Sequence, residues 1–317
     1  MSGSDRPNFR PAHPEDFIVE EIPAFAPEGQ GDHCFVHIEK RLLSTPEAVA
    51  RIAATLGADP KTAGFAGMKD RVAVARQWVS LPGVLPEQAM ALEAIDGVRV
   101  LAAALHPRRL RTGQLSGNRF TVRLRGIYDI AAALEKLAAQ GIDNRFGPQR
   151  FAGDNAARGQ ALVLGQAPPP RGRIERRMLV SAIQAAVFND YLDRRGDRVD
   201  LEGEPLRRGR PSGPVPGYRM LRAAEGTPAR ALEDEVLARA GITLLDFRRV
   251  KRLGRGTRRP LRLEIEEAAW WPAEDGDGTV VRFRLSPGSY ASEVISELLS
   301  RAAQIRPACA SSTCSTQ

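Results

Sequence analysis

Apolar and polar residues alternate along several short segments of the chain, and this spacing is typical of β-strands. The segments with this pattern are residues 17–22, 34–38, 72–81, 98–104, 119–125, 261–266 and 280–285. A turn-like stretch at 27–31 separates the first two, so we predict that these two strands pair as a hairpin. The sequence Glu-Asp-Gly-Asp-Gly at 274–278 predicts another hairpin turn near the end of the chain.

Other segments carry apolar residues at every third or fourth position, which is the pattern of an amphipathic helix. They are residues 49–56, 86–95, 128–140, 178–192, 232–240 and 291–303. Ser44 and Glu47 precede the first of these and predict a capping box, so that helix should begin after Ser44 and end at Gly57. Helices and alternating strands together predict an α+β protein with a large antiparallel component.

The residue composition and the apolar pattern of the sequence change near residue 141. Helical segments are then interrupted by loops rich in Gly, Pro and Arg, until the alternating pattern returns at residue 261. We therefore expect one α+β domain built from both ends of the chain, residues 14–140 and 262–304, with residues 141–261 inserted as a second domain.

The composition is that of a globular protein, since 43% of the 317 residues are hydrophobic and 26% are charged. No apolar run approaches the roughly 20 residues of a membrane span, and the first residues lack the apolar core of a signal peptide. We therefore expect no membrane association and a cytoplasmic location. Cys34, Cys309 and Cys314 are an odd number of cysteines, which argues against a structural disulfide or a zinc site. The polar ends, residues 1–13 and 305–317, are expected to be flexible.

Positive charge is concentrated in the expected inserted domain. The chain has a net charge of +8, yet residues 141–262 hold 25 Lys and Arg against 14 Asp and Glu, a net charge of +11, and the remainder carries −3. Such a local excess is expected of a surface that binds a polyanion, because each neutralised phosphate releases condensed counterions. A surface that only increases solubility is the alternative.

Common catalytic signatures are absent from the sequence, which has no Gly-x-Ser-x-Gly elbow, no His-Glu-x-x-His motif and no Walker phosphate loop. What remains is a turn in which Asp70 lies between Lys69 and Arg71. The two cations favour the ionised form of the carboxylate, and a carboxylate nucleophile must attack in that form. A solvated turn without a catalytic role is the alternative.

Several short segments combine an aromatic residue with Pro, Asn or Gly. They are residues 13–17, 117–120, 144–151 and 287–291. Asn can hydrogen-bond to the edge of a nucleobase, an aromatic ring can stack on its face, and Gly lets the backbone approach closely. For each aromatic residue taken alone, a place in the hydrophobic core is the alternative.

These segments, in this order, resemble the TruD family of tRNA pseudouridine synthases. The matching motifs are Pro-Glu-Asp-Phe-Ile-Val-Glu-Glu at 14–21, Phe-Ala-Gly-Met-Lys-Asp-Arg at 65–71, Gly-Asn-Arg-Phe at 117–120, Asn-Arg-Phe-Gly-Pro-Gln-Arg-Phe at 144–151 and Pro-Gly-Ser-Tyr-Ala at 287–291. The resemblance covers nearly the whole chain, and five motifs in the family's order make a chance match very improbable.

The resemblance implies a pseudouridine synthase catalytic domain with a mixed, largely antiparallel sheet, interrupted by the family's own α/β TRUD domain at 141–261. It implies that uridine at position 13, in the D-arm of certain tRNAs, is isomerised to pseudouridine without a cofactor or a metal. The base must leave its stack during this reaction, so the enzyme is expected to flip it out. We expect tRNA as the partner and a monomeric enzyme.

The motifs of the family also imply roles for individual residues. Asp70 matches the catalytic aspartate and is the expected nucleophile, with either Lys69 or a basic residue near the N-terminus as its electrostatic partner. The expected contacts of the target base are Phe17, Asn118, Phe120 and Tyr290. We interpret the Arg-rich loop at 248–259, which lies outside the five motifs, as a contact of the tRNA backbone. The expected contacts of the RNA backbone are Arg71, Arg150, Arg255, Arg258 and Arg259. The family usually carries a lysine shortly before its Pro-Glu-Asp-Phe motif, where this chain has Arg10.

Two questions stay open on the sequence alone. The competing hypothesis is a protein of the same fold that binds or folds tRNA without catalysis, although an intact Asp70 favours the enzyme. Two chemical routes also remain for Asp70, which either adds covalently to the sugar or removes its 2′ proton to give a glycal.

Overall fold

The structure is a computed structural model that describes residues 9–92, 95–196, 201–207 and 209–305, without the side chains of residues 148, 149 and 305. Cys309, Cys314 and most of the two ends that are expected to be flexible lie outside the described residues. No helix within the described part is long and apolar enough to cross a membrane.

Strands and helices are interspersed along the described residues. The strands are β1 (Phe17–Pro23), β2 (His33–Arg41), β3 (Gly64–Phe65), β4 (Val74–Pro82), β5 (Val98–His106), β6 (Leu115–Leu124), β7 (Ile142–Asp143), β8 (Leu206–Arg207), β9 (Arg210–Val215), β10 (Thr257–Pro260), β11 (Arg262–Leu263), β12 (Glu266–Pro272) and β13 (Thr279–Leu285). The α-helices are α1 (Thr45–Thr55), α2 (Pro86–Met90), α3 (Ala131–Gln140), α4 (Asn155–Leu164), α5 (Arg173–Arg195), α6 (Pro228–Arg239) and α7 (Ala291–Ile305). The segments Pro14–Asp16, Pro148–Phe151 and Asp246–Gly254 form 3-10 helices.

The chain divides into two compact units. The first contains the residues up to Gly141 and those from Glu264 onward, and the second contains Ile142–Leu263. The second unit holds the whole +11 charge excess, because neither Gly141 nor Leu263 is charged.

The first unit is built on one large sheet. Within the described residues this sheet has eight strands in the order β12-β13-β6-β1-β4-β2-β5, with β3 paired to β4. β1 and β4 run parallel, with Val19 opposite Ala75, and the remaining pairs of this sheet are antiparallel. The predicted α+β class with a largely antiparallel sheet is therefore confirmed.

The predicted hairpin of the first two strands is wrong. β1 pairs with β4 and β6, and β2 lies on the far side of β4. Tight hairpins use about two to five connecting residues, whereas residues 24–32 form a longer connection between β1 and β2. That length leaves room for β4 between the two strands. The turn at 274–278 does join β12 and β13 as predicted.

One face of the large sheet forms the core of the first unit. Val19 of β1, Phe120 of β6 and Phe283 of β13 stand side by side on this face, and all three are buried. Farther along the sheet, Ile38 of β2 is fully buried in a cluster with Ile52 of α1. Burying a side chain of this size stabilises the fold by roughly 1.5–3 kcal/mol.

The helix α1 begins with the predicted capping box. The Glu47 backbone N–H donates to Ser44 Oγ at 3.4 Å, and the Ser44 N–H donates to the Glu47 carboxylate at 2.7 Å. These two bonds satisfy N–H groups that a helix start leaves free. The cap therefore fixes Thr45 as the first residue of α1, where its side chain reaches the loop described below.

Several elements differ from the predictions. The second predicted helix is shorter, since α2 ends at Met90, and the strand predicted at 261–266 is divided between β11 and β12. The helix α4 was not predicted, because Gly159 in its middle disfavours a helix. In the structure this glycine lets α4 approach α5, since a Cβ at Gly159 would lie 2.2 Å from the Leu179 carbonyl oxygen.

The second unit packs around α5. Phe188 and Tyr191 on this helix are fully buried in a cluster that includes residues of α4 and α6. The Tyr191 hydroxyl donates to Glu204 Oε1 at 2.9 Å, so its polar end is satisfied. The strands β10, β9 and β8 form a small sheet in this unit.

Candidate active site

The loop between β3 and β4 carries the predicted nucleophile. Asp70 is exposed on this loop, and within the described residues its carboxylate takes part in no hydrogen bond or ion pair. Met68, two residues earlier, is also exposed, whereas Lys69 between them is buried. The loop therefore presents the Asp70 carboxylate to solvent, while the preceding residue, Lys69, points inward.

The backbone of this loop, residues 66–70, which we call the Asp70 loop, is held by several side chains. Thr45 Oγ1 accepts the Lys69 N–H at 2.9 Å and donates to Gln77 Oε1 at 2.9 Å. Gln77 Nε2 in turn lies 3.5 Å from the Gly67 carbonyl oxygen, the long limit of a hydrogen bond. Thr45 and Gln77 are both fully buried. The helix start and the strand β4 thus fix the path of the loop.

Lys69 forms its side-chain hydrogen bonds within a buried polar cluster and not with Asp70. Its Nζ donates to Glu21 Oε2 at 2.7 Å and to Asn118 Oδ1 at 2.9 Å. Glu21 and Asn118 face each other across β1 and β6, and the second Glu21 oxygen accepts the Trp78 N–H. The Lys69 charge is therefore balanced by Glu21. The prediction that Lys69 is the electrostatic partner of Asp70 is corrected accordingly.

Lys40 is the cation that the structure places at Asp70, and the sequence reasoning missed it. It is fully buried at the end of β2, where its Nζ donates to the Asp70 carbonyl oxygen at 2.6 Å and to the Leu43 carbonyl oxygen at 2.7 Å. Burial lowers the pKa of Lys40 from its ordinary 10.5 to about 8, and the charges of Asp70 and Glu47 oppose this while Lys69 adds to it. A buried ammonium of this kind clamps the loop and places positive charge beside the carboxylate.

The signal for Lys40 was present in the alternation of β2. Cys34, Val36 and Ile38 occupy its inward positions, and Lys40 is the next residue in that series. A charged residue at a core position of a strand needs a buried partner. That partner belongs to a loop 30 residues away, so the local pattern alone gave no indication of it.

The predicted base contacts differ in their exposure. Phe17 and Phe120 are 7% and 6% exposed, with ring centroids 5.9 Å apart, and Phe120 also lies 5.6 Å from Phe283. For Phe120 the structure favours the core alternative, because its ring packs between two others. Asn118 is partly exposed, and its Oδ1 is fixed by Lys69, which directs the Nδ2 donor away from the ammonium. Tyr290 is half-buried immediately before α7.

The predicted RNA-backbone residues also separate into different groups. The prediction that Arg258 contacts the RNA backbone is wrong, because Arg258 is only 6% exposed and its guanidinium pairs with the buried Glu233 and with Ser212. Arg259 is half-buried against the ring of Phe146, 4.2 Å from its centre.

For the other three arginines, contact with the RNA backbone stays a prediction. Arg71 and Arg255 are exposed, and Arg150 is half-buried with a hydrogen bond of 2.8 Å to Ser181 Oγ. Arg71 Nε donates to the Leu42 carbonyl oxygen, and its guanidinium lies 3.9 Å from Glu47. Arg10 is exposed as well.

Comparison with known proteins decides the family. The family model described as tRNA pseudouridine synthase D (TruD) matches residues 10–167 and 204–298, most of the chain. The chain belongs to the TruD family. The matched residues include the Asp70 loop, Lys40 and the Lys69 cluster.

Individual TruD relatives agree with this assignment. A tRNA pseudouridine synthase D of an Anaeromyxobacter species is 40% identical over 92% of both chains. That of Thermus thermophilus is 37% identical over 90% of this chain and 87% of its own length. A crystal structure described as the putative TruD of Methanosarcina mazei is 19% identical, with a TM-score of 0.71 over 93% of this chain and 95% of its own. That structure shares the fold.

Proposed function

We propose that this TruD-family chain isomerises uridine to pseudouridine in tRNA, with Asp70 as the nucleophile. The observation that carries the proposal is the Asp70 loop itself. Its backbone is fixed by Lys40, Thr45 and Gln77, whereas the Asp70 carboxylate is exposed and unpartnered within the described residues. A structural aspartate is normally tied to a partner, while a nucleophile must be held in place and left free to react.

The reaction needs no group besides the substrate and side chains of this kind. The bond between N1 of uracil and C1′ of the ribose breaks, the detached base turns, and C5 bonds to C1′. C5 then loses its proton and N1 gains one, so uridine and pseudouridine contain the same atoms. Asp70 either attacks C1′ or removes the 2′ proton. In both routes the positive charge of the buried Lys40 attracts the Asp70 carboxylate and lies beside the reacting group.

The target base must be flipped out of its stack and held while it is detached. Asn118 supplies an oriented amide for its edge, since Lys69 fixes the Asn118 oxygen. The half-buried ring of Tyr290 and the small exposed part of the Phe17 ring are the proposed aromatic contacts of the base. The Lys69 and Glu21 pair acts as a rigid support behind Asn118.

The second unit captures the substrate through its charge. Its net charge of +11 attracts the tRNA backbone, and Arg150 and Arg255 are its proposed phosphate contacts. Arg71 is a proposed phosphate contact of the first unit. The substrate position is uridine 13 of the D-arm, and the enzyme works as a cytoplasmic monomer.

The test compares Asp70→Asn with Asp129→Asn, which changes an exposed aspartate elsewhere in the first unit. We expect Asp70→Asn to abolish pseudouridine formation while its tRNA affinity stays within about tenfold of the wild type, about 1.4 kcal/mol. Asp129→Asn should keep full activity. Full activity in Asp70→Asn overturns the proposed mechanism, and a wild-type protein that binds tRNA without modifying it supports the non-catalytic alternative.

A further inference from the structure

A group of cations in the second unit has no acidic partners among the residues that the structure describes. Arg219, Arg248, Lys251 and Arg252 line an open cavity of about 590 Å³ together with Tyr218. All four cations are exposed, and none of them forms an ion pair with a carboxylate of the described residues. We call this group the Tyr218 pocket.

Ten other arginines of this unit pair with carboxylates of the described residues, in the ion pairs Arg145–Asp193, Arg158–Glu175, Arg194–Asp190, Arg195–Glu204, Arg222–Asp234, Arg230–Asp234, Arg239–Asp190, Arg249–Asp246, Arg258–Glu233 and Arg262–Asp143. Exposed arginines without such a pair also occur elsewhere in the unit, so the distinctive feature of the Tyr218 pocket is that four of these cations line one cavity beside an aromatic ring. Asp246, on the same 3-10 segment as three of the pocket cations, is held by Thr243 and Arg249. No carboxylate in the described part of the chain pairs with the four cations of the pocket, which face solvent and favour negatively charged ligands.

The backbone around the pocket is fixed before any ligand arrives. The Tyr218 N–H donates to the Gly254 carbonyl oxygen at 2.9 Å, and the Arg219 N–H donates to the Arg255 carbonyl oxygen at 2.9 Å. A Cβ at Gly217 would lie 2.2 Å from the Gly256 nitrogen, so these two segments are in close contact. A preformed site loses less entropy on binding than a loose one.

The backbone at Lys251 is strained in a way that shapes the pocket. Its φ of 50° and ψ of −125° interrupt the 3-10 segment Asp246–Gly254 with a kink. A positive φ is costly for a residue with a side chain, and such outliers gather at ligand sites. The kink occurs between Arg248 and Arg252, and both side chains nevertheless reach the same cavity.

We propose that the Tyr218 pocket is an RNA-binding site that takes phosphates of the tRNA backbone on its cations and one unpaired nucleobase on the Tyr218 ring. Arginine forks match phosphate oxygens, and an aromatic ring beside them is the usual partner of an unstacked base. Tyr218 is half-buried, and the Arg219 guanidinium lies 5.8 Å from the centre of its ring, which holds the phenol in place. The inference rests on the proposed function, because tRNA is the proposed substrate.

The charge part of the proposal is tested with two double variants of the second unit. Arg219→Gln/Arg252→Gln removes two pocket cations, and the control Arg158→Gln/Arg239→Gln removes two exposed arginines that pair with Glu175 and Asp190. Binding of an unmodified tRNA transcript is measured by fluorescence anisotropy at several KCl concentrations.

Each lost phosphate contact lowers the salt slope by about 0.7–0.9. The pocket variant should therefore bind about 15- to 30-fold more weakly near 0.15 M salt, with a slope reduced by about 1.4–1.8, while the control stays within about twofold. Equal affinities and slopes for the two variants overturn the proposal. Thermal melting of both variants checks that they remain folded.

The base contact is tested with Tyr218→Ala against Tyr218→Phe. Loss of one stacked base costs about 1–3 kcal/mol, so Tyr218→Ala should weaken tRNA binding at least about fivefold while Tyr218→Phe keeps it. A blunt RNA duplex of similar length offers no unpaired base, and both variants should bind it equally. If Tyr218→Ala binds tRNA as Tyr218→Phe does, the stacking role is refuted.

Steady-state kinetics of pseudouridine formation distinguish a failure of this inference from a failure of the proposed function. Variants of the Tyr218 pocket should raise KM for tRNA and leave kcat unchanged, since their residues are absent from the Asp70 loop and its supports. If the wild-type protein forms no pseudouridine, the proposed function fails, yet the binding assays still decide on the pocket.

Discussion

Replacing Lys40 with methionine removes the buried ammonium that clamps the Asp70 loop and keeps a side chain of similar length. Two carbonyl groups, those of Leu43 and Asp70, then lose their donor. Leaving a buried carbonyl without a partner costs about 1–3 kcal/mol, so the two together cost about 2–6 kcal/mol.

The same change also removes a cost of the wild-type protein. Burying the Lys40 charge lowers its pKa from 10.5 to about 8. At neutral pH this burial destabilises the folded state by roughly 3 kcal/mol. The two effects largely offset each other. We therefore expect the free energy of unfolding of Lys40→Met to fall by less than about 3 kcal/mol, so the variant should still fold.

Activity should respond far more strongly than stability. The Asp70 backbone loses an anchor of 2.6 Å and the carboxylate loses its adjacent cation. A displacement of about 1 Å in a reacting group can cost 100-fold in rate, and we expect kcat of Lys40→Met to fall by about that factor. KM for tRNA should change little, because Lys40 is fully buried.

The pH dependence gives a second readout. An unfolded lysine keeps its ordinary pKa of about 10.5, so between pH 8 and 10.5 the unfolded state binds more protons than the folded one. The free energy of unfolding should therefore rise with pH in this window because of Lys40, and Lys40→Met should lose that rise. The wild-type kcat should instead fall above about pH 8, as the charge beside Asp70 disappears, and kcat of the variant should be flat there.

The assay is pseudouridine formation at saturating tRNA between pH 6.5 and 9.5, with urea unfolding of the same proteins. Lys136→Met, at an exposed position of α3, serves as the matched control and should resemble the wild type. A Lys40→Met enzyme whose kcat and pH profile equal those of the control would refute the assigned role of Lys40.

Two other predictions concern buried charges. Arg258→Gln removes the closer of two cations that pair with the buried Glu233 carboxylate and leaves Arg222 at 3.5 Å, so the free energy of unfolding should fall by about 1–3 kcal/mol in urea titrations; an unchanged midpoint would restore Arg258 as a surface contact. Glu21→Gln leaves Lys69 without its carboxylate and loosens the support of Asn118, so kcat should drop at least tenfold with KM for tRNA unchanged; steady-state kinetics that show only a raised KM would contradict this support role.

The sequence motif located the Asp70 loop correctly, because its residues are consecutive and its flanking strands alternate clearly. The supports of the loop were not visible in the same way. Lys40 and Thr45 meet the loop through contacts that span 24 to 30 residues, and nothing in the local pattern pairs them with it. Lys69 was assigned to Asp70 because the two are neighbours in sequence, whereas successive residues of this loop point in opposite directions.

The basic run at 248–259 shows a similar limit. Charge density predicted a surface that contacts RNA along the whole run, yet Arg258 occupies an inward position of β10 while Arg255 and Arg252 are exposed. A strand in a basic segment still buries alternate residues, and a buried arginine then acquires an acidic partner such as Glu233. Only the ion pairs of the described residues show which arginines have an acidic partner.

The proposed function is tested most directly by mapping pseudouridine in tRNA transcripts after incubation with the wild-type protein. Mass spectrometry of nuclease fragments locates each modified position. We expect one new pseudouridine, at position 13 of the D-arm, and none when Asp70→Asn replaces the wild type. A transcript that the wild-type protein binds tightly but leaves unmodified would contradict it.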